Sequence, residues 1–169
     1  MVAAALVGAA CADATAKTEK KGRRMSKTTS TNVLDRLDEL AKQRPFRPEA
    51  VSQLVGLPLE PVTAASNAYF TIYRSPAGQH AAPFAAVELR APTGRNKKDG
   101  LVIVDIETDC LKLADVGERW GKPEWTGPNP PEMPRDRPEY YAFKQPWGVL
   151  RLGFSRETRC LVAAVIDAT

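Results

Sequence analysis

The sequence predicts an α+β fold in which two tandem units each place short helices on one face of an antiparallel β-sheet. The first observation is a pattern that occurs twice, at residues 51–58 and 116–123: Val, three residues, an apolar residue, Gly, one residue and Pro. In each copy the Gly fits the left-handed position that closes a helix, and the Pro prevents the helix from continuing. The second observation is that runs of alternating apolar and polar residues, typical of half-buried strands, follow each copy.

Charge is distributed unevenly along the 169-residue chain, whose length suits one domain or two small ones that share a core. Residues 1–31 carry six basic and two acidic side chains, which is the whole net charge of +4, whereas residues 32–169 carry 18 of each sign. A nucleic-acid-binding protein needs an excess of basic side chains on a folded face or on a basic arm. In this chain only the basic segment within residues 1–31 could serve as such an arm. We expect no nucleic-acid partner.

Residues 1–31 are predicted to be an export leader followed by an unstructured basic linker. Residues 2–12 are small and apolar, too few to span a bilayer but suited to the apolar core of a secretion signal. Cleavage could follow Ala12, or Cys11 could end a lipobox and carry a lipid. The alternative is a cytosolic tail with Met25 as the true start. We expect an exported protein that is either periplasmic or anchored to the outer membrane, and a lipid on Cys11 would be its only contact with the membrane.

The first half of the folded part, residues 32–109, is predicted to begin with two helices. Asn32 is a suitable N-cap for the first helix, and apolar residues at helical spacing follow it as far as Pro45. The second helix ends at Gly56. Three amphipathic strands are predicted to follow, at residues 67–74, 84–90 and 101–107.

The second half, residues 110–169, is predicted to repeat this order. Apolar residues between Leu111 and Trp120 form a helical face that leads into the second Gly-x-Pro pattern, and a proline-rich loop follows. Three further strands are predicted at residues 139–144, 149–154 and 160–167. The last strand has few polar residues, so we expect it to be central or covered on both faces.

The doubled order of helical unit, Gly-x-Pro exit and β-meander resembles the fold of beta-lactamase inhibitor protein. A single copy of the unit resembles the small outer-membrane assembly lipoproteins of the Gram-negative envelope. The resemblance covers residues 48–167 and rests on the order of elements and on the two short patterns. It implies an envelope or secreted protein whose sheet face grips another protein. Periplasmic immunity proteins, which neutralise a toxin, also use small exported α+β folds of this kind.

Side chains suited to catalysis or metal binding are sparse. His80, the only histidine, lies in a predicted loop without a neighbouring acid or cysteine, which favours a solvent-exposed residue over a catalytic base. No Gly-x-Ser-x-Gly elbow, phosphate loop or Cys-x-x-Cys occurs. Asp105, Glu107 and Asp109 alternate along a strand, where a solvated face is favoured over a calcium site. We therefore expect no enzyme, no metal and no cofactor.

Aromatic and basic side chains outside the predicted core suggest a protein-binding surface. In the first strand, alternation places Phe70 and Ile72 on one face, which we assign to the core, and Tyr69 and Tyr73 on the other. Tyr and Trp bury large areas with few rotatable bonds and are enriched at interface hot spots. The alternative is that the tyrosines pack under helices and the tryptophans cover the edge of the core. The residues predicted to contact a protein partner are three tyrosines, two tryptophans and three bases of one loop: Tyr69, Tyr73, Tyr140, Trp125, Trp147, Arg95, Lys97 and Lys98.

Cys110 and Cys160 are predicted to form a disulfide. Cys11 belongs to the leader, so two cysteines remain in the exported domain, and an even number favours a bridge. Cys110 follows the third strand and Cys160 opens the last one, so the bridge would join the second helical unit to the sheet. The alternative is two buried thiols in a cytosolic protein.

Together, these features predict an exported bacterial protein-binding module. The favoured function is that of an inhibitor or immunity protein, which neutralises a secreted toxin or enzyme by direct binding. The alternative is an envelope assembly or scaffold lipoprotein, which lipidation of Cys11 would favour. An enzyme that uses acids alone is the least favoured.

Overall fold

The computed structural model describes residues 27–95, 98–125 and 137–168, with the backbone alone for residues 27–32 and 125. The predictions for the leader, for Cys11 and for Lys97 lie outside these residues. The helices within them are α1 (Lys27–Lys42), α2 (Pro48–Val55) and α3 (Leu113–Trp120). The strands are β1 (Glu60–Pro61), β2 (Phe70–Arg74), β3 (Phe84–Pro92), β4 (Gly100–Ile106), β5 (Glu124–Trp125), β6 (Glu139–Gln145), β7 (Gly148–Phe154) and β8 (Leu161–Ala168).

All eight strands belong to one antiparallel sheet, in the order β1-β2-β3-β4-β8-β7-β6-β5. The first unit runs from α2 through β1 to β4, and the second repeats this order from α3 through β5 to β8. The last strands of the two units pair at the centre of the sheet, with Val102 opposite Ile166. The α+β architecture with two tandem units is therefore as predicted, and β8 is a central strand.

The hydrophobic core lies between the three helices and one face of the sheet. Leu37 of α1, Val51 of α2 and Val116 of α3 are almost completely buried in the same cluster as strand residues such as Phe143 and Leu152. Burying a side chain of this size contributes about 1.5–3 kcal/mol relative to leaving it exposed. The apolar positions of the helices and of this face of the sheet therefore stabilise each other.

Both glycines of the repeated pattern end a helix with a positive φ, as predicted. Gly56 follows α2 at φ 74° and ψ 19°, and its N–H donates to the Ser52 carbonyl. Gly121 follows α3 at φ 82°, and its N–H donates to the Gly117 carbonyl. Its ψ of −162° lies outside the left-handed helical region, in a region that glycine alone occupies readily. The two helix ends therefore differ in the substitutions that they tolerate.

Helix α1 begins at Lys27, so two predictions are wrong: that Asn32 caps this helix, and that residues 27–31 belong to an unstructured linker. Further along, α1 is joined to α3 by polar contacts. The Arg119 guanidinium forms ion pairs with Asp35, at 2.7 Å, and with Asp38. The Trp120 indole N–H donates to the other Asp38 oxygen at 2.9 Å. Burial lowers the pKa of Arg119, but the hydrogen bonds and charges of Asp38 and Asp35 outweigh it and raise the pKa.

The predicted faces of β2 are wrong. Tyr73 pairs with Leu89, which is fully buried in the core, so Tyr73 lies on the helix-covered face and packs against the core. Ile72 pairs with Arg90 and lies on the opposite face. It is nevertheless 5% exposed. Its N–H donates to the Ser66 hydroxyl, and its carbonyl accepts the Val62 N–H. The segment before β2 therefore protects Ile72, and an apolar residue is tolerated there without a helix above it.

Candidate functional site

The face of the sheet opposite the helices, which we call the open face, is the candidate functional site. None of the helices α1, α2 and α3 lies on it, because their apolar residues belong to the core on the other side. The strand register defines its rows of side chains. One row contains Arg90, Leu101, Asp167 and Val149; the next contains Glu88, Ile103, Val165 and Arg151; the third contains Ala86, Asp105, Ala163 and Gly153.

The middle of the open face is apolar. Leu101, Ile103 and Val165, which we call the apolar centre, are half-buried and lie on the two central strands. Isolated apolar side chains are common on solvated surfaces, but three adjacent ones at the sheet centre form a continuous patch. Such a patch is the usual core of a protein–protein interface when polar groups surround it.

Ion pairs flank the apolar centre on both sides. Glu88 accepts Arg74 at 2.7 Å on one oxygen and Arg90 at 2.8 Å on the other. On the opposite side, Arg151 pairs with Asp167 at 2.9 Å. Burial raises the pKa of Glu88, but the hydrogen bonds and charges of Arg90 and Arg74 outweigh it and lower the pKa. The charges here are therefore held in fixed positions around the apolar side chains.

Asp105 lies in a shallow depression that we call the notch. Its neighbours in the row are Ala86 and Ala163, whose short side chains leave the carboxylate uncovered. Arg74, Glu88 and Ile103 also line the depression, which has a volume of about 260 Å³. Burial raises the pKa of Asp105, and among the described residues no base forms an ion pair with it. The notch therefore presents an exposed acid whose pKa is raised.

Tyr69, one of the predicted contact residues, is held rigidly and yet is 60% exposed. The Asn67 side-chain oxygen accepts the N–H groups of Tyr69 and Phe70 at 2.9 and 3.0 Å. The Thr93 N–H donates to the Tyr69 carbonyl, and the Thr93 hydroxyl donates to the Ala68 carbonyl. Four hydrogen bonds fix this short segment while its phenol ring stays in solvent. Ordering the segment on binding would therefore cost little entropy.

The β3–β4 loop lies beside Tyr69. Lys98 lines a shallow depression of about 320 Å³ with Asn67, Tyr69 and Phe70, and Arg95 is exposed in the same loop. Phe70 is half-buried and its position in β2 is on the open face, opposite Pro92. The structure therefore brings together Tyr69 and Lys98, two residues of the predicted site, at the edge of the open face.

The other predicted contact residues are dispersed. Tyr140 is on the open face, at the far end of the sheet from Tyr69, with its ring over Gly153. Burial and the charge of Asp105 raise its pKa, which Arg137 lowers in part. Trp147 lies in the β6–β7 turn and packs against the core, with the Arg44 guanidinium 5.3 Å from the ring centre. Trp125 pairs with Tyr141 through its backbone. Trp147 therefore fits the predicted alternative of a cover for the core's edge.

Cys110 and Cys160 lie at disulfide distance, as predicted, with the sulfurs 1.94 Å apart. The bridge joins the segment that precedes α3 to the start of β8. The Leu161 N–H also donates to the Leu111 carbonyl beside it, at 2.9 Å. This placement is compatible with a disulfide, which together with the hydrogen bond would attach the second helical unit to the sheet.

His80 and Glu107 form an acid–base pair outside the apolar centre and the notch. His80 lies 3.8 Å from Glu107, and both side chains are more than half exposed. Among residues 27–95, 98–125 and 137–168, no three His, Cys, Asp or Glu side chains are grouped as metal ligands. In the same part of the chain, no helix has the length and apolar character needed to cross a membrane.

No family model, no curated protein and no solved structure matches this chain. The resemblance to beta-lactamase inhibitor protein and to envelope lipoproteins therefore stays a prediction.

The sequence prediction missed the apolar centre. The signal was present, because residues 101–104 are Leu-Val-Ile-Val and residues 161–166 are Leu-Val-Ala-Ala-Val-Ile. Runs that are apolar at every position place hydrophobic side chains on both faces of a strand. Only one face of these two central strands is covered by the described helices, so the other face carries the patch.

Proposed function

We propose that this protein is an exported bacterial binding protein that grips another protein with its open face, as an inhibitor or immunity protein does. The observation that carries the proposal is the apolar centre of Leu101, Ile103 and Val165, surrounded by fixed ion pairs. An apolar middle with a polar rim is the arrangement found in protein–protein interfaces. Tyr69 adds an exposed aromatic anchor of the kind that dominates binding energies.

The spacing of these features favours a macromolecular partner over a small molecule. Asp105 lies four residues beyond Leu101 along β4, and β2 is two strands away from β4. Phe70 is opposite Pro92 and Arg90 is opposite Leu101, so Tyr69 lies about three residues before the level of Leu101. At about 3.4 Å per residue and 4.8 Å per strand, Tyr69 and the notch are therefore roughly 25 Å apart. The two depressions on this face are shallow and separate. A standard interface buries about 800 Å² on each partner, which spans such a distance.

The charges on the open face specify the chemistry of the partner. Glu88 and Asp167 are already paired with arginines of the same chain, whereas Asp105 has no basic partner among the described residues. A lysine or arginine of the bound protein placed over the notch would pair with Asp105, while an apolar side chain would cover Ile103. Burying Asp105 against an apolar or acidic group would leave an unpaired charge, which is costly.

Two features support export. A disulfide persists in oxidising compartments and is rare in the cytosol, and Cys110 and Cys160 are placed to form one. The apolar run at residues 2–12 has the length and composition of a secretion signal core. We propose that the mature protein acts in the periplasm or at the cell envelope, and that it binds its target without performing catalysis.

The proposal is tested by affinity capture from secreted and periplasmic fractions of the native host. The bait is the wild-type protein, with Ile103→Asp as the open-face variant and Gln53→Asp, an exposed position on α2, as the charge-matched control. A partner retained by the wild type and by Gln53→Asp but lost by folded Ile103→Asp supports the proposal. An inhibitor or immunity protein should also suppress the activity of that partner. Retention by Ile103→Asp would contradict binding through this face.

A further inference from the structure

The surroundings of the two bridge sulfurs differ in charge. The Lys112 ammonium lies 3.8 Å from the Cys160 sulfur and donates to the Thr158 carbonyl at 2.6 Å. The Lys112 backbone is itself fixed, because its N–H donates to the Asp115 carboxylate at 2.7 Å. Cys110 instead follows the exposed acid Asp109 directly in the chain. One sulfur therefore has a cation held beside it, whereas its partner has none among the described hydrogen-bonding groups.

This difference bears on thiol–disulfide exchange, in which an external thiolate attacks one sulfur in line and displaces the other as a thiolate. In the transition state the negative charge is shared by the attacking and leaving sulfurs, and the central sulfur carries little of it. A cation beside the leaving sulfur therefore accelerates the reaction, because it stabilises the charge that develops there. Lys112 is placed to stabilise charge on Cys160 as it leaves.

We propose that Cys110 is the site at which an external thiol, such as glutathione or a dithiol oxidoreductase, opens the bridge. The thiolate sulfur forms a bond with the Cys110 sulfur, the Cys110–Cys160 bond breaks, and its electron pair goes to the Cys160 sulfur. The products are a mixed disulfide on Cys110 and a Cys160 thiolate beside the Lys112 ammonium. Closure is the reverse reaction, in which the Cys160 thiolate displaces the external thiol from Cys110.

The geometry also limits the size of the preference. Two unit charges about 4 Å apart in water change an equilibrium by a factor of about five. Bonded sulfurs are about 2 Å apart, so the Lys112 ammonium also lies within about 6 Å of the Cys110 sulfur. Only the difference between the two distances sets the preference, so we expect attack on Cys110 to exceed attack on Cys160 by about twofold. Lys112 acts here as a positioning residue for the exchange and forms no bond with the reacting thiol.

The test is brief exposure of the folded, oxidised protein to glutathione, quenched with acid at a few per cent conversion. Free thiols are then alkylated with N-ethylmaleimide, and the sites are mapped by peptide mass spectrometry. We expect glutathione mainly on Cys110 and the alkyl group mainly on Cys160. In Lys112→Gln the preference should fall to near unity, whereas the control Lys122→Gln, at an exposed position just beyond α3, should keep it.

Three results would overturn the proposal. One is glutathione found mainly on Cys160, and another is a preference that Lys112→Gln leaves unchanged. The third is a bridge that resists glutathione in the folded protein but opens at the same concentration after denaturation. Each would show that Lys112 does not direct exchange to Cys110.

Discussion

Removing the Cys110–Cys160 bridge is expected to lower the free energy of unfolding by about 4 kcal/mol. The two cysteines are 50 residues apart in sequence. Cross-linking a loop of that length lowers the entropy of the unfolded chain by about 14 cal/mol/K, which is roughly 4 kcal/mol at 25 °C. Typical domains have a total stability of about 5–15 kcal/mol, so the bridge contributes a large share.

Urea denaturation measures this contribution directly. The double variant Cys110→Ser/Cys160→Ser is compared with the oxidised wild type, since a double replacement leaves no lone thiol. The Leu161–Leu111 hydrogen bond and the buried Val116 remain, so α3 should still be folded in the absence of urea. A stability difference below about 1 kcal/mol would refute the entropic argument. Two free thiols in denatured, unreduced periplasmic protein would refute the bridge itself.

Three further predictions concern helix ends, acid stability and processing. Gly56→Val should destabilise the protein more than Gly56→Asn, because Asn tolerates the left-handed region and a β-branched residue does not. Equal melting temperatures for these two variants would contradict the conformation of Gly56. At Gly121, substitution by either Val or Asn should be costly. Because the pKa of Glu88 is lowered, its ion pairs with Arg74 and Arg90 stabilise the fold fully at pH values above 4.5, the ordinary pKa. This stabilisation is lost as the pH falls through the lowered pKa. Stability should therefore fall less steeply below pH 4.5 in Glu88→Gln, and identical slopes in acid denaturation would contradict this. N-terminal sequencing of protein from fractionated native cells should show that residues 1–10 at least have been removed, whereas intact cytosolic protein would contradict export.

The order of elements could be predicted from the sequence because it depends on local chemistry. Gly56 and Gly121 occupy positive φ, and the following prolines cannot continue a helix, so both helix ends are set by a few adjacent residues. The alternation in β3, β6 and β7 is likewise local. The cysteine pairing followed from the number of cysteines, and the doubled strand order placed both cysteines in the same unit.

The site was harder to predict because it depends on which face the helices cover. In β2, Phe70 and Ile72 alternate with Thr71 and Tyr73, and hydrophobicity alone favoured the wrong side. The deciding contact is the pairing of Tyr73 with Leu89, which is set by the register between strands. The link from Arg119 to α1 also joins residues more than 80 positions apart, which no sequence pattern indicates.

Tyr69 is exposed, as expected, but the predicted reason, an alternation that placed it on the same outer face as Tyr73, is wrong. It precedes β2, so strand alternation does not determine its exposure. The Asn67 side chain holds the segment through two hydrogen bonds, and Asn in such turns is a recognisable local signal. Tyr69 is therefore the predicted contact residue whose geometry best suits a partner.

The dissociation constant of the captured partner, measured by titration calorimetry on purified variants, tests binding through the open face most directly. Tyr69→Ala and Ile103→Asp should each weaken binding by about 30-fold or more, which corresponds to the loss of about 2 kcal/mol expected for an interface anchor. Gln53→Asp should change it by less than about twofold, and all three variants should keep the wild-type circular dichroism spectrum. Unchanged affinity in both folded open-face variants would contradict the account.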